Sequence, residues 1–256
     1  MLFMVLALAV VQNPTTPTAQ TLRYRVEAKT TLDQDLTSIG RGKISGGSNA
    51  IAFVTVALTD SADGQVARIT VDSMKLEATG AMAAQMPPAA AAAAADSARG
   101  AWVHAYTVRN TLRGVPQPSV QNPALAPIMQ IVGVMFPGIR SGIKAGDSWA
   151  DTTKVDGDIQ SGHQVGAIIA VWKSGALEDG AFVLNGTSSS NVRTTGQAGQ
   201  VVTVVGSSTE RLVIGIGGPA KSGYVESSVN SSIVQRPGDT PIPQHSTAVL
   251  RLTRLP

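Results

Sequence analysis

The sequence predicts an all-β, antiparallel fold, and three observations predict it. Short segments alternate apolar and polar residues with the two-residue period of a half-buried strand, as in Ile51 to Leu58 and Val66 to Val71. Turn residues punctuate these segments, and Asp63-Gly64 between the two just named is a tight-turn signal that makes them a hairpin. No strand-helix-strand alternation is visible, which argues against a parallel sheet.

Taken in order, Thr21 to Glu27 opens the first strand, and Leu32 to Ser45 reads as the next pair, with Gly40 and Gly42 at a turn or bulge. After the hairpin at Asp63-Gly64 the character changes. Pro87-Pro88 precedes seven consecutive alanines, Ala89 to Ala95, and Gly100 follows, so proline at the start and glycine past the end mark a short helix over Ala89 to Ala98. Poly-alanine has helix propensity but little to bury, which suggests a surface helix or a linker inserted into the β-fold. A second helix is expected from Pro123 to Met135, where Leu125, Ile128, Met129, Val132 and Met135 recur at spacings of three and four. The alternation then resumes in Gly180 to Leu184, after an Asp179-Gly180 hairpin turn, and in Val201 to Val205, Glu210 to Ile214, Gly223 to Ser228 and Thr247 to Leu252. In each half, about 21–135 and 136–256, a strand runs into an Asp-Gly turn and further β-segments follow. Tandem duplication of one β-unit and convergence on a common turn both explain this.

Composition narrows the function classes. The chain has no cysteine, so thiol catalysis, thiolate metal sites and a lipidated cysteine anchor are excluded. Charged residues make up 14% of the sequence, and the 26 glycines with many Ser and Thr suit an exported β-protein. The pI of about 9.4 rests on a net charge of only +3, with basic residues scattered singly and few aromatics to stack on bases, which argues against a nucleic-acid partner. Met1 to Val11 is uninterrupted apolar sequence followed by a Pro/Thr spacer ending near Gln20. It reads as a secretory signal h-region without its basic n-region, too short for a transmembrane helix. The expectation is therefore a signal-like segment over 1–20, a β domain over 21–256, a periplasmic or secreted location, and no membrane span after signal removal.

Catalytic and cofactor motifs fail on context. Gly215-Ile216-Gly217-Gly218-Pro219-Ala220 has a dinucleotide-loop spacing, but turn and strand residues follow where a helix is required. Gly146-Asp147-Ser148-Trp149-Ala150 approaches a nucleophile elbow, yet a polar turn precedes it and a strand follows. None of His104, His163 and His245 sits in a local motif that would serve Ser148 as base. Asp151, Asp156 and Asp158 fit no EF-hand spacing, and an Asp-Gly turn explains Asp156-Gly157 without a metal. No catalytic residue, metal or cofactor is expected.

The segment Phe136-Pro137-Gly138-Ile139-Arg140-Ser141-Gly142-Ile143-Lys144-Ala145-Gly146-Asp147-Ser148-Trp149 resembles a stretch of uncharacterised exported bacterial β-rich proteins, in which a Phe-Pro turn leads to a Lys-x-Gly-Asp-Ser/Thr-Trp turn that opens a strand. The resemblance implies export and a curved antiparallel sheet, a half-barrel or open barrel like that of bacterial lipoprotein carriers, with one or two short helices. It implies no known activity. Three functions follow as expectations: binding of a lipid or other hydrophobic ligand in a sheet-lined groove, a structural or interaction module meeting another envelope protein, and, last, a hydrolase acting through Ser148. In the first, Ile128, Met129, Val132 and Met135 would line the groove, although packing on the core is the commoner fate of such a stripe. An apolar cavity of roughly 300 Å³ or more between helix and sheet would favour ligand binding.

Overall fold

The computed structural model describes residues 20–62, 64–108, 111–137, 143–159, 162–178, 181–196, 199–215 and 218–256. The signal-like segment lies outside the described residues, except for Gln20. Among the described residues there are eleven strands: β1 (Gln20–Asp35), β2 (Lys43–Ser61), β3 (Gly64–Gly80), β4 (Trp102–Val108), β5 (Thr111–Pro118), β6 (Ser148–Ile159), β7 (Gly162–Glu178), β8 (Ala181–Gly196), β9 (Val201–Gly215), β10 (Ala220–Val234) and β11 (Ile242–Arg254). They form one antiparallel, curved, unclosed sheet in the order β5-β4-β3-β2-β1-β11-β10-β9-β8-β7-β6. Each strand pairs with its chain neighbour, except that β1 pairs with β11 in the middle and β5 and β6 remain as edges.

Both Asp-Gly connections fall between paired strands. Ser61 pairs with Gly64, and Glu178 pairs with Ala181 across Asp179-Gly180, which itself lies outside the described residues. The strands run far beyond the apolar alternation. Val201 to Val205 and Glu210 to Ile214 belong to the single strand β9, and the serines and threonines between them keep their ladder partners on β8 and β10. Asp156-Gly157 is no turn, contrary to expectation. It lies inside β6 opposite Val165 and Gln164, because the neighbouring β7 supplies a continuous ladder that overrides the turn preference of the dipeptide.

The core occupies the inner face of the sheet. Leu22, Tyr24, Val26 and Ala28 of β1 face inward beside Ala50, Ala52, Val54, Val56 and Leu58 of β2, with Leu250 and Leu252 of β11 on the other side. Among the described residues there are three helices, α1 (Ala81–Gln85), α2 (Pro88–Ala98) and α3 (Ala126–Met135): α1 contacts β2 and β3, α2 contacts β3, and α3 covers the core. α1 is one more than the sequence reading placed, since its five residues are too few to show a period. Asn122 accepts a hydrogen bond from the Ala124 N–H and opens the 3-10 turn Pro123–Leu125 that leads into α3. α3 packs against β1, β4, β5, β10 and β11.

Tyr24 is fully enclosed at the centre of the sheet, and no described residue hydrogen-bonds its hydroxyl. Burial pushes its pKa up to about 12, while the nearby charge of Arg254 acts in the opposite direction. An unsatisfied buried hydroxyl costs about 1–3 kcal/mol. Tyr24→Phe is therefore expected to match or exceed the parent in urea unfolding, and a clear loss of stability would show that the hydroxyl is satisfied in solution.

Candidate functional site

A cleft of about 460 Å³ lies between β3 and α2. A bulge prepares its β3 wall. Val71 pairs with Val54 and Ser73 with Phe53, so Asp72 is an extra residue, and its carboxylate accepts a hydrogen bond from Thr55 Oγ1 at 2.8 Å. The extra residue shifts the alternation by one. Ala67, Ile69 and Val71 face the core before it, and Met74, Leu76 and Ala78 turn to the same face after it.

The other wall is the alanine helix. Pro88 stands at its first turn, where a missing N–H costs nothing, and alanine has the highest helix propensity. Ala91, Ala95 and Ala98, spaced by four and three residues, are buried on one face. Methyl side chains let the helix come near β3, yet they leave the space beside Ala92 and Ala95 unfilled. Asn122 Nδ2 donates to Ala94 O at 3.2 Å and to Ser97 Oγ at 2.9 Å, which ties the end of α2 to the turn that starts α3. Met74, Leu76 and Ala78 of β3, with Met86, Pro88, Ala92 and Ala95, give the cleft its apolar lining. Lys75 and Glu77 pair at 2.6 Å in an exposed contact, and Asp96 lies on the α2 side.

The four residues expected to line a groove lie elsewhere. Ile128, Val132 and Met135 are fully buried in the core, Met129 is half-buried against it, and none of them lines this cleft. Ser148 is exposed at the start of β6 opposite Lys173. Each histidine is engaged away from it: His104 stacks on Trp102 at 4.0 Å, His163 contacts Asp158 at 2.9 Å and Asp156 at 3.3 Å, and His245 contacts Asn230 at 2.9 Å. Among the described residues, no group of three or more His, Asp or Glu is arranged to hold a metal ion. Trp149, on the edge strand β6, is half-buried against the core and stacks on Trp172 with ring centroids 6.4 Å apart.

A second feature escaped the sequence reading. Trp149, Trp172, Gly186 and Glu210 stand opposite one another across four successive strands. The six-membered ring of Trp172 lies over Gly186, where any side chain would collide with it. Glu210 accepts a hydrogen bond from Ser208 Oγ at 3.0 Å, and Ser208 and Ser188 share another at 2.7 Å. Burial raises the Glu210 pKa, opposed only by the Ser208 hydrogen bond. A carboxyl whose pKa is raised by folding makes the native state bind the extra proton. Its ionisation therefore removes stability as pH climbs from the ordinary carboxylate range through the raised value. Glu210→Gln is expected to be more stable than the parent at neutral pH and to converge with it in acid. Urea melts across pH check this, and parallel profiles for the two proteins would refute it.

Neither a protein-family model nor a curated protein matches this sequence. Among solved structures, it is similar to OccK5 (OpdH) of Pseudomonas aeruginosa, at 6% identity and a TM-score of 0.25, over 92% of this chain and 98% of the other. It is also similar to a BenF-like porin from Pseudomonas fluorescens Pf-5, at 7% identity and a TM-score of 0.24, over 92% and 99%. At TM-scores this low the likeness carries no argument. No helix among the described residues is long and apolar enough to cross a membrane, which leaves strands out of account.

Proposed function

We propose that this chain is an exported, non-catalytic binding protein that holds an extended apolar ligand in the cleft between α2 and β3. The observation that supports it best is the cleft itself. Its 460 Å³ falls within the range of small-molecule sites, and seven apolar side chains line it with a few polar groups at hand. Export is supported by the apolar run and Pro/Thr spacer at the amino end, by the absence of cysteine and by the low charge content. The ligand is a hydrophobic small molecule or a segment of another envelope protein.

The test is to fill the cleft from its exposed wall. Ala92→Trp places an indole in the empty space without touching the buried alanines of α2. With a fluorescent fatty acid such as cis-parinaric acid as probe, the parent is expected to bind and the variant to bind at least about tenfold more weakly, a loss of roughly 1.4 kcal/mol. Equal binding by the two proteins would overturn the assignment of the cleft.

A further inference from the structure

Resting on that reading of the cleft, we propose that its occupant is the amino-terminal end of an extended polypeptide that adds to the edge of β3 as a further strand. The lining points to an edge. Six consecutive residues of β3, Met74 to Thr79, contribute to it and no residue of β2 does, whereas a cavity over the face of the strand would draw on both strands.

That edge is unpaired. β4 pairs with β3 only as far as Thr70 opposite Trp102, and Val71 then donates its N–H to Ala101 O and accepts from the Gly100 N–H. In a strand of L-residues, the face a side chain takes fixes the edge to which its own N–H and C=O point. Met74, Leu76 and Ala78 share the inner face with Val71, so their main-chain groups point, as those of Val71 do, away from β2 and into the cleft. No described residue bonds these three N–H and three C=O groups. A lipid chain leaves all six to water, but an added strand satisfies them while its alternate side chains meet Leu76, Met86 and Ala92.

Charge selects which end of the guest lies where. At the Val71 end the edge is already taken by Gly100 and Ala101, so the added strand has its terminus there. α2 returns along β3 and brings its carboxyl end, the negative pole of the helix, to the same place. Asp96 lines the cleft, whereas its exposed ion-pair partner Arg99 does not. An ammonium group fits this end and a carboxylate is repelled, so the guest runs parallel to β3 with its free amino terminus beside Asp96.

The experiment uses a hexapeptide of alternating valine with serine or threonine, carrying a free amino terminus and a fluorophore at its amidated carboxyl end. Its amino-acetylated twin and a twin with alternate amides methylated serve as comparisons, and all are read by fluorescence polarisation beside cis-parinaric acid. The free-amino peptide is expected to bind the parent at least about tenfold more tightly than either twin, each lost hydrogen bond or charge contact being worth on the order of tenfold. Asp96→Asn should erase the difference between free and acetylated peptide. Ala78→Pro removes one cleft-facing N–H while sparing the ladder to β2, and should weaken the peptide about tenfold but not the fatty acid. The methylated peptide gives the same information on unaltered protein, whether or not that variant folds. Equal binding of the three peptides overturns the strand-addition inference. Fatty-acid binding without peptide binding overturns it too and leaves the apolar-ligand reading standing, whereas binding of neither overturns both.

Discussion

Ile131→Ala is expected to lower the unfolding free energy by about 2–5 kcal/mol, the range for deleting a large aliphatic side chain from a packed site. Ile131 is 0% exposed at the middle of α3 and belongs to the cluster that joins β1, β2, β10 and β11. α3 is also the bridge between the two edge strands, following β5 and preceding β6 in the chain. A void beneath it therefore loosens the helix that spans from β4 and β5 to β10 and β11. Met129→Ala on the same helix should cost much less, because Met129 is half-buried. Urea denaturation of both variants checks the contrast. Similar losses would mean that the helix contributes through its propensity, not through its docked face.

The second large effect is expected at Gly223 of β10. A methyl group built there collides with Val134 Cγ1 of α3 and comes within 3.2 Å of Leu212 Cδ2, so the glycine is the recess into which the helix seats Val134. Val134 is β-branched and held on a rigid helix, which leaves it little freedom to move aside. Gly223→Ala should cost about 1–3 kcal/mol by overpacking. In a Val134→Ala background the same change should be close to neutral, because the vacated space receives the new methyl. The double-mutant cycle isolates this coupling. Additive losses would place the strain of Gly223→Ala somewhere other than against α3.

Much of this architecture is legible in the residues. Asp63-Gly64 and Asp179-Gly180 reveal their hairpins because apolar residues alternate on both sides of them, and the Leu125 to Met135 stripe reveals α3. The same dipeptide at Asp156-Gly157 misleads, since a turn preference of this size yields to a ladder already formed by β7. Strand lengths are hidden for a related reason. Ser188, Ser190 and Ser207 carry no hydrophobic signal, and only their cross-strand partners hold them extended. The cleft is the least legible part. It needs the Asp72 bulge to turn Met74 and Leu76 inward, and it needs the alanine run to dock on β3 rather than stand in solvent. Both are long-range outcomes. Glu210 is likewise one acid among alternating polar residues until Gly186 and Trp172 are brought across from it.

The pairing of β1 with β11 also sets the order in which the molecule can be completed. From β1 to β5, and again from β6 to β11, successive strands pair with their chain neighbours, through local connections except between β3 and β4, where α1 and α2 intervene. The two meanders are joined by the β1–β11 ladder, where Arg25 lies opposite Thr253 and Ala28 opposite Leu250, a pairing distant along the chain and at the centre of the sheet. Until β11 arrives, β1 is an open edge whose apolar inner face is half assembled. A chain emerging amino end first therefore stays unfinished through most of its synthesis. The same delay leaves an exposed central strand for a chaperone to guard.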